Sequence, residues 1–406
     1  MIKVSVEYYN NKEAVLFISY PNYKTINAKI HVEFKISKSE FLTTLMFTEQ
    51  ANENGWHTYN DLKKRVQYRL GDIEDILDFN DDTIKVKQSS QRVNASGLTE
   101  RIGVSLGLNV VNQFHGLSEA DWSITEDEYF DGKRVKDFDY EISIASDGQK
   151  FIQVENKGNV CDDNTKKNSS VSQHYKSIKE KKEEILEREE LANIPRHENI
   201  YYGTIGVVDG KNKAKVWLID PIAFNIEWNP KKFKLLSRLY FYAKLFKEIG
   251  VHKRIIVPLI ERIELLKKSG NISEFDKVRL KDTYKSLKIF ISAKNFANIN
   301  TNEAFGSFYF VKTKEGTKVF LMAVTKEILK LIINQDFNGI INYEYKNGDL
   351  DEKATVELST KLSQTSEEFE MTKVQFVFDE KRKRLFAQYY GTIEYSSSGR
   401  IFGIIG

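Results

Sequence analysis

The residues whose types and spacing could do chemistry concentrate in one short stretch, Phe151-Ile152-Gln153-Val154-Glu155-Asn156-Lys157. In an extended segment side chains alternate between faces, so Gln153, Glu155 and Lys157 point one way while Ile152 and Val154 point into a core. Upstream, Asp139 opens a second apolar stretch running to Ile144. The turn Ser146-Asp147-Gly148-Gln149 between the two stretches suits a hairpin. Two carboxylates and an ammonium then converge on one spot, an arrangement suited to holding a divalent cation beside a phosphate. Asp137 competes with Asp139 for this position, since both share a face of the strand. Asp139 lies closer to Tyr140, Ile142 and Ile144 and gives the better register opposite Glu155.

A Glu-x-Lys triplet arises easily in a chain rich in both residues. It recurs at Glu33-Phe34-Lys35, Glu180-Lys181-Lys182 and Glu344-Tyr345-Lys346, with a variant at Glu380-Lys381-Arg382-Lys383. The first copy has no Asp upstream of it, and the second sits in a charged helical stretch where i, i+4 pairing accounts for it. The third ends an apolar strand, but Asp336 precedes it too closely for a hairpin. Only the copy at Glu155 closes a hairpin opened by an Asp and lies between two helical stretches.

Those stretches belong to a chain of 406 residues, 41% hydrophobic, 12% aromatic and 29% charged with 5 Pro, the profile of a folded protein of two or three domains. The single cysteine, Cys161, excludes an intrachain disulfide and a cysteine-built zinc site, and fits a reducing cytoplasm. The six histidines include no pair at i, i+4 spacing, so any metal must be held by oxygen ligands. No apolar run is long enough to cross a bilayer and the N-terminus lacks a signal-peptide layout, so a cytoplasmic protein with no membrane partner is expected.

Residues 1–90 read as a β-rich unit for substrate recognition or regulation. Its expected strands are Lys3–Tyr8, Ala14–Ile18 and Lys29–Phe34, with a helix near Tyr59–Leu70. Gln88 to Gly97 is a plausible linker. Leu98, Ile102 and Leu106 recur at helical spacing, Leu108–Phe114 reads as a first strand, and the Asp139 hairpin follows. A charged helix is expected over Ser170–Leu191, then strands over Ile200–Val208 and Ala214–Ile219. Residues 230–295 form a basic helical segment, and 300–406 a mixed α/β unit.

The order of elements from 94 to 222, with Asp139 and Glu155-x-Lys157, resembles the core of the PD-(D/E)XK, or restriction endonuclease-like, nuclease superfamily. The resemblance implies an α/β (α+β multidomain) chain whose central αβββαβ core is flanked by the β-rich N-terminal and mixed α/β C-terminal units. It implies Asp139 and Glu155 as the main Mg²⁺ ligands, with Mn²⁺ as substitute, and Glu100 holding that metal or a second one, directly or through water. Lys157 would orient or help deprotonate the attacking water and stabilise charge on the phosphorane. Gln153 would place its amide near the site. Gln173 would approach from the following helix, although Gln173-His174-Tyr175 lacks the Gln-x-x-x-Tyr spacing of the exonuclease-like branch; His174 reads as a surface residue.

Residues 231–294 are strongly basic while the rest of the chain is net acidic. Lys231, Lys232, Lys234, Arg238, Lys253 and Arg254 are the candidate contacts to a phosphate backbone. The interleaved Phe233, Tyr240, Phe241, Tyr242 and Phe246 read as core. The expected activity is that of a Mg²⁺-dependent endonuclease acting on double-stranded DNA, in restriction or anti-phage defence. A homodimer would match the symmetry of the duplex. The alternatives are a defence nuclease activated by a ligand or partner, and a catalytically inactive nucleic-acid-binding protein of the same fold.

Overall fold

The computed structural model describes residues 1–18, 23–30, 32–48, 59–87, 93, 97–124, 129–130, 133–134, 140–143, 151–191, 200–219, 230–268, 295–301, 303–346, 353–361 and 373–406. The chain is of mixed α/β class and forms two compact units, residues 1–54 with 72–237 and residues 55–71 with 238–406.

The N-terminal part gives β1 (Ile2–Tyr8), α1 (Asn11–Phe17), α2 (Tyr23–Ile30), β2 (Phe34–Ile36), α3 (Lys38–Phe47) and α4 (Tyr59–Ile76). The short pair β3 (Leu77–Asp78) and β4 (Lys85–Val86) precedes α5 (Leu98–His115). Next come β5 (Ser123–Ile124), β6 (Tyr129–Phe130), β7 (Lys133–Arg134), β8 (Tyr140–Ser143) and β9 (Phe151–Val160). The helix α6 (Ser169–Leu191) leads to β10 (Ile200–Val208) and β11 (Ala214–Ile219). Seven strands make one sheet in the order β2-β1-β11-β10-β9-β8-β5. The strands β5, β8 and β9 pair antiparallel, and β10 lies parallel to β9 after the crossover through α6.

The two helices cover opposite faces. On one, α5 lies close to β9 because glycines meet there: a Cβ built on Gly103 would stand 2.4 Å from the Gly158 Cα, and one on Gly158 would stand 1.8 Å from the Thr99 carbonyl oxygen. On the other, Val171, Ile178 and Ile185 of α6 pack on Ile205, Val207, Trp217 and Ile219. A strand covered on both sides shows no clean alternation of burial, and Ile152, Val154, Glu155 and Asn156 are all buried.

Three expected strands are corrected. Ala14–Ile18 falls largely in α1, because the Asn10 side chain caps the Glu13 N–H at 3.0 Å and starts a helix that buries Phe17. Lys29 and Ile30 end α2, so only Phe34 of the third expected strand reaches β2. Leu108–Phe114 is the second half of α5, where the spacing of Leu98, Ile102 and Leu106 continues through Val110 and Phe114, all of them buried. The helix stops at Gly116, whose φ of 63° is open to glycine without strain. The segment expected as a β-rich unit is thus mainly helical, and β1 and β2 are strands of the same sheet as β9.

In the C-terminal part α7 (Pro230–Glu248) and α8 (Lys253–Lys268) precede β12 (Asn295–Ile299), β13 (Ala304–Thr313) and β14 (Gly316–Thr325). After α9 (Lys326–Asn334) and α10 (Phe337–Asn342) come β15 (Lys353–Lys361), β16 (Val377–Asp379), β17 (Arg384–Thr392), β18 (Glu394–Tyr395) and β19 (Arg400–Ile405). Their order is β16-β17-β15-β12-β13-β14-β19-β18. Only Ile393 separates β17, second in this order, from β18 at its other end, so one run of chain pairs with β15 and then with β19, and the sheet closes into a barrel around one core. Phe308, Phe310, Leu321, Val356, Leu358 and Ile401 are among the side chains that fill it.

Candidate functional site

The centre of the site is Glu155. Gln153, Glu155 and Lys157 share the face of β9 that meets α6, as strand alternation requires, while Asn156 turns to α5 and accepts the Thr204 hydroxyl at 2.6 Å. The Glu155 side chain is 1% exposed, with Oε1 2.6 Å from Lys157 Nζ and Oε2 2.7 Å from Lys181 Nζ. A carboxylate so buried must be compensated, and here each oxygen has its own ammonium. The lysines keep 29% and 18% of their side chains exposed, so the cluster opens to solvent on its cationic side.

Lys181 is placed by the anchoring of α6. Asn168 caps the helix, its Oδ1 accepting the Val171 N–H at 2.8 Å. Before it, the Asn164 N–H donates to Asp209 at 2.8 Å and the Asn164 amide to the Lys213 carbonyl at 2.7 Å. Burial works to raise the Asp209 carboxyl, but hydrogen bonds from Asn212, Asn164 and Lys211 outweigh it and leave Asp209 below the usual carboxylate range. Earlier on α6, the buried Glu13 of α1 takes the Tyr175 hydroxyl at 2.8 Å and pairs with Lys179 at 3.1 Å. Tyr175 stacks on Tyr9 with ring centroids 3.9 Å apart, which fixes the rotation of the helix about its axis.

His174 corrects the expectation of a surface residue. It is partly buried, and burial first, then the charge of Lys157, hold its imidazole below the ordinary value, against a hydrogen bond to the Gly158 main chain. Gln173 is exposed on α6, so it is His174 that turns towards Lys157. Glu100 is exposed on the first turn of α5. That turn crosses β9 at Lys157–Gly158, on the face opposite the Lys157 side chain. Gln153 is partly buried and pairs in register with Glu141 of β8. Asp137 and Asp139 lie outside the described residues; Tyr140, next in the chain after Asp139, pairs with Val154, the residue before Glu155. Cys161 follows β9, and burial pushes its thiol up to about 11.

Of the expected phosphate contacts, two are corrected. Lys234 is buried, and Arg238 is buried with its guanidinium donating to the carbonyls of Ile340 at 2.7 Å and Tyr343 at 2.8 Å. The Arg238 guanidinium is committed to these two carbonyls. Lys253 and Arg254 are exposed at the start of α8, while the side chains of Lys231 and Lys232 lie outside the described residues.

Sequence reasoning passed over Lys181, which belongs to one of the triplets set aside as a solvated helix face. Its signal was positional: Lys181 stands seven residues after His174, two helical turns along the same stripe. Among the described residues no group of three or more His, Cys, Asp or Glu gathers as a metal site. The chemistry of Glu155 fits Mg²⁺, which takes one or two carboxylates together with substrate oxygens and water. An ion there would share the carboxylate with the lysines. Also among the described residues, no helix is long and apolar enough to cross a membrane. Comparison with protein-family models, curated proteins and solved structures finds no match for this chain.

Proposed function

We propose that the protein is a metal-dependent nuclease that hydrolyses phosphodiester bonds in DNA, built on a restriction endonuclease-like core. The observation that carries this reading is the meeting of Glu155 and Lys157 of β9 with Lys181 of α6, within a run of helix, three antiparallel strands, helix and parallel strand. Glu155, with Asp139, would hold Mg²⁺ or Mn²⁺, and Glu100, on the opposite face of β9, falls outside that ligand set; the ion supplies an activated water and relieves charge on the phosphate. Lys157, the more exposed of the two lysines, would meet the attacking water or the phosphorane. Lys181, fixed by α6, would hold a non-bridging oxygen as negative charge grows there. Restriction or anti-phage defence is the setting that the family resemblance implies.

A second reading has one observation in its favour. Both Glu155 oxygens already face ammoniums, as suits a nuclease awaiting a ligand or partner, or a protein that binds nucleic acid without cutting it. Plasmid DNA with Mg²⁺ separates the readings. Cleavage by the native chain that is lost in Asp139→Ala, Glu155→Gln and Lys157→Ala, each still folded, supports the nuclease. Equal cleavage by all four chains would sink the site assignment, and retention of DNA without cleavage would favour the second reading.

A further inference from the structure

A second surface lies on the barrel, on the outer wall made by β15, β17 and β16. Ala387 and Tyr389 pack towards the barrel interior, so Phe386, Gln388 and Tyr390 face outward. Val377 is the register partner of Phe386 and shares that outer face. Tyr390 is 67% exposed and Val377 68%; together with Phe378 on the same hairpin, they are the exposed large hydrophobics among the described residues of the barrel.

The charge around them is basic. Lys381, Arg382 and Lys383 follow one another in the turn between β16 and β17, all exposed, and Lys383 takes the left-handed position at φ 50°. The Arg382 guanidinium lies 5.1 Å from the Phe386 ring centroid. Its pairings with Asp379 at 3.8 Å and Glu357 at 4.0 Å are long. Lys353 and Lys361 are exposed at the two ends of β15, in register with Thr392 and Arg384. Phe386 and Tyr390 stand about 13 Å apart at the ordinary rise of a strand, far enough to act as separate platforms.

We propose that this face binds a single-stranded nucleic acid. Bases stack on Tyr390 and on the Phe386–Arg382 pair, and phosphates run towards Lys381, Lys383, Lys353 and Lys361. Aromatic platforms set in a basic groove form the usual sequence-tolerant site for single strands. The exposed Tyr390 and the half-buried Phe386 are interleaved with Gln388, Thr355 and Glu357, which breaks up any continuous apolar patch of the kind a protein partner covers. The inference is independent of catalysis in the other unit.

The test uses the full chain in EDTA, so that cleavage plays no part, with a fluorescein-labelled oligothymidylate followed by anisotropy over a range of salt concentrations. Tyr390→Ala is expected to weaken binding by about fivefold to a hundredfold, with Tyr390→Phe close to native. Lys381→Gln with Lys383→Gln should lower the slope of log affinity against log salt by about 1.4. Three results would overturn the proposal: no binding by the native chain, an affinity unchanged in Tyr390→Ala, or equal and Tyr390-independent binding of a blunt duplex. A fourth is concentration-dependent dimerisation in sedimentation that Tyr390→Ala abolishes, since the face would then be a contact between two copies of this chain.

Discussion

Replacing Glu155 by Gln keeps the shape of the side chain and removes the charge that two ammoniums share. Their contacts are 2.6 and 2.7 Å to a carboxylate that is 1% exposed. At an effective dielectric constant of about 20, one such pair carries roughly 6 kcal/mol of gross attraction, most of it offset by the desolvation of both ions. Breaking a fully buried pair costs about 3–5 kcal/mol. Here Lys157 and Lys181 keep 29% and 18% exposure and can turn to water, which lowers the loss. We expect Glu155→Gln to cost about 2 kcal/mol and Lys181→Met about 1 kcal/mol, with the double variant about 1 kcal/mol short of the sum. A loss of about 2 kcal/mol corresponds to a fall of roughly 4–8 °C in Tm for a unit of this size. Urea denaturation of the four chains, checked by calorimetry, measures the cycle. The reasoning fails if Glu155→Gln raises stability, as in a site whose carboxylate is pressed against like charges, or if the two substitutions add.

The remaining predictions concern His174, the α5 contact and Lys157. Because burial and Lys157 hold His174 below its ordinary value, the unfolded chain takes up a proton near pH 6.5 that the folded chain refuses until lower pH. The stability contributed by His174 is therefore complete above about pH 6.5 and is lost as pH falls through the folded value. Tm measured from about pH 7.5 to 5.5 should fall less in His174→Gln than in the native chain, and equal slopes would remove His174 from the account. Gly103→Ala puts a methyl carbon 2.4 Å from the Gly158 backbone and should cost at least about 1–3 kcal/mol in urea denaturation, with a near-native midpoint counting against the close packing of α5 on β9. Lys157→Met should lower the rate of plasmid cleavage about 10²–10⁴-fold while leaving the chain folded by circular dichroism, and a loss below about threefold would deny Lys157 a place at the reacting phosphate.

What could be read from the sequence was what local pattern encodes. The alternation in Gln153-Val154-Glu155-Asn156-Lys157 assigned the right side chains to the right face, and α6, β10 and β11 lie at or within a residue of their expected bounds. Apolar runs misled where both periodicities fit. Ala14–Ile18 and Leu108–Phe114 are rich in Val, Ile and Leu, and only the Asn10 cap in one case and the unbroken i, i+4 series from Leu98 in the other favour a helix. The partners of Glu155 are a different kind of information. Lys157 is two residues away along the strand, but Lys181 reaches the carboxylate through the crossover of α6 over β9 and β10, a packing that no short window contains. Arg238 shows the converse: a basic helix position looked like a phosphate contact, and two distant carbonyls claim it.

The same crossover gives α6 a role beyond covering the sheet. It carries alternate lysines to two buried carboxylates, Lys179 to Glu13 on α1 and Lys181 to Glu155 on β9. The two lie about 200° apart around an ideal helix, so both can be satisfied only at one rotation and one height of the helix on the sheet. The Tyr9–Tyr175 stack and the Asn168 cap select that same setting. The positions of the two ammoniums at Glu155 are therefore built in by packing. An anionic ligand such as a phosphate meets two ammoniums already aimed, and the ordering cost of holding two long side chains has been met during folding rather than at binding.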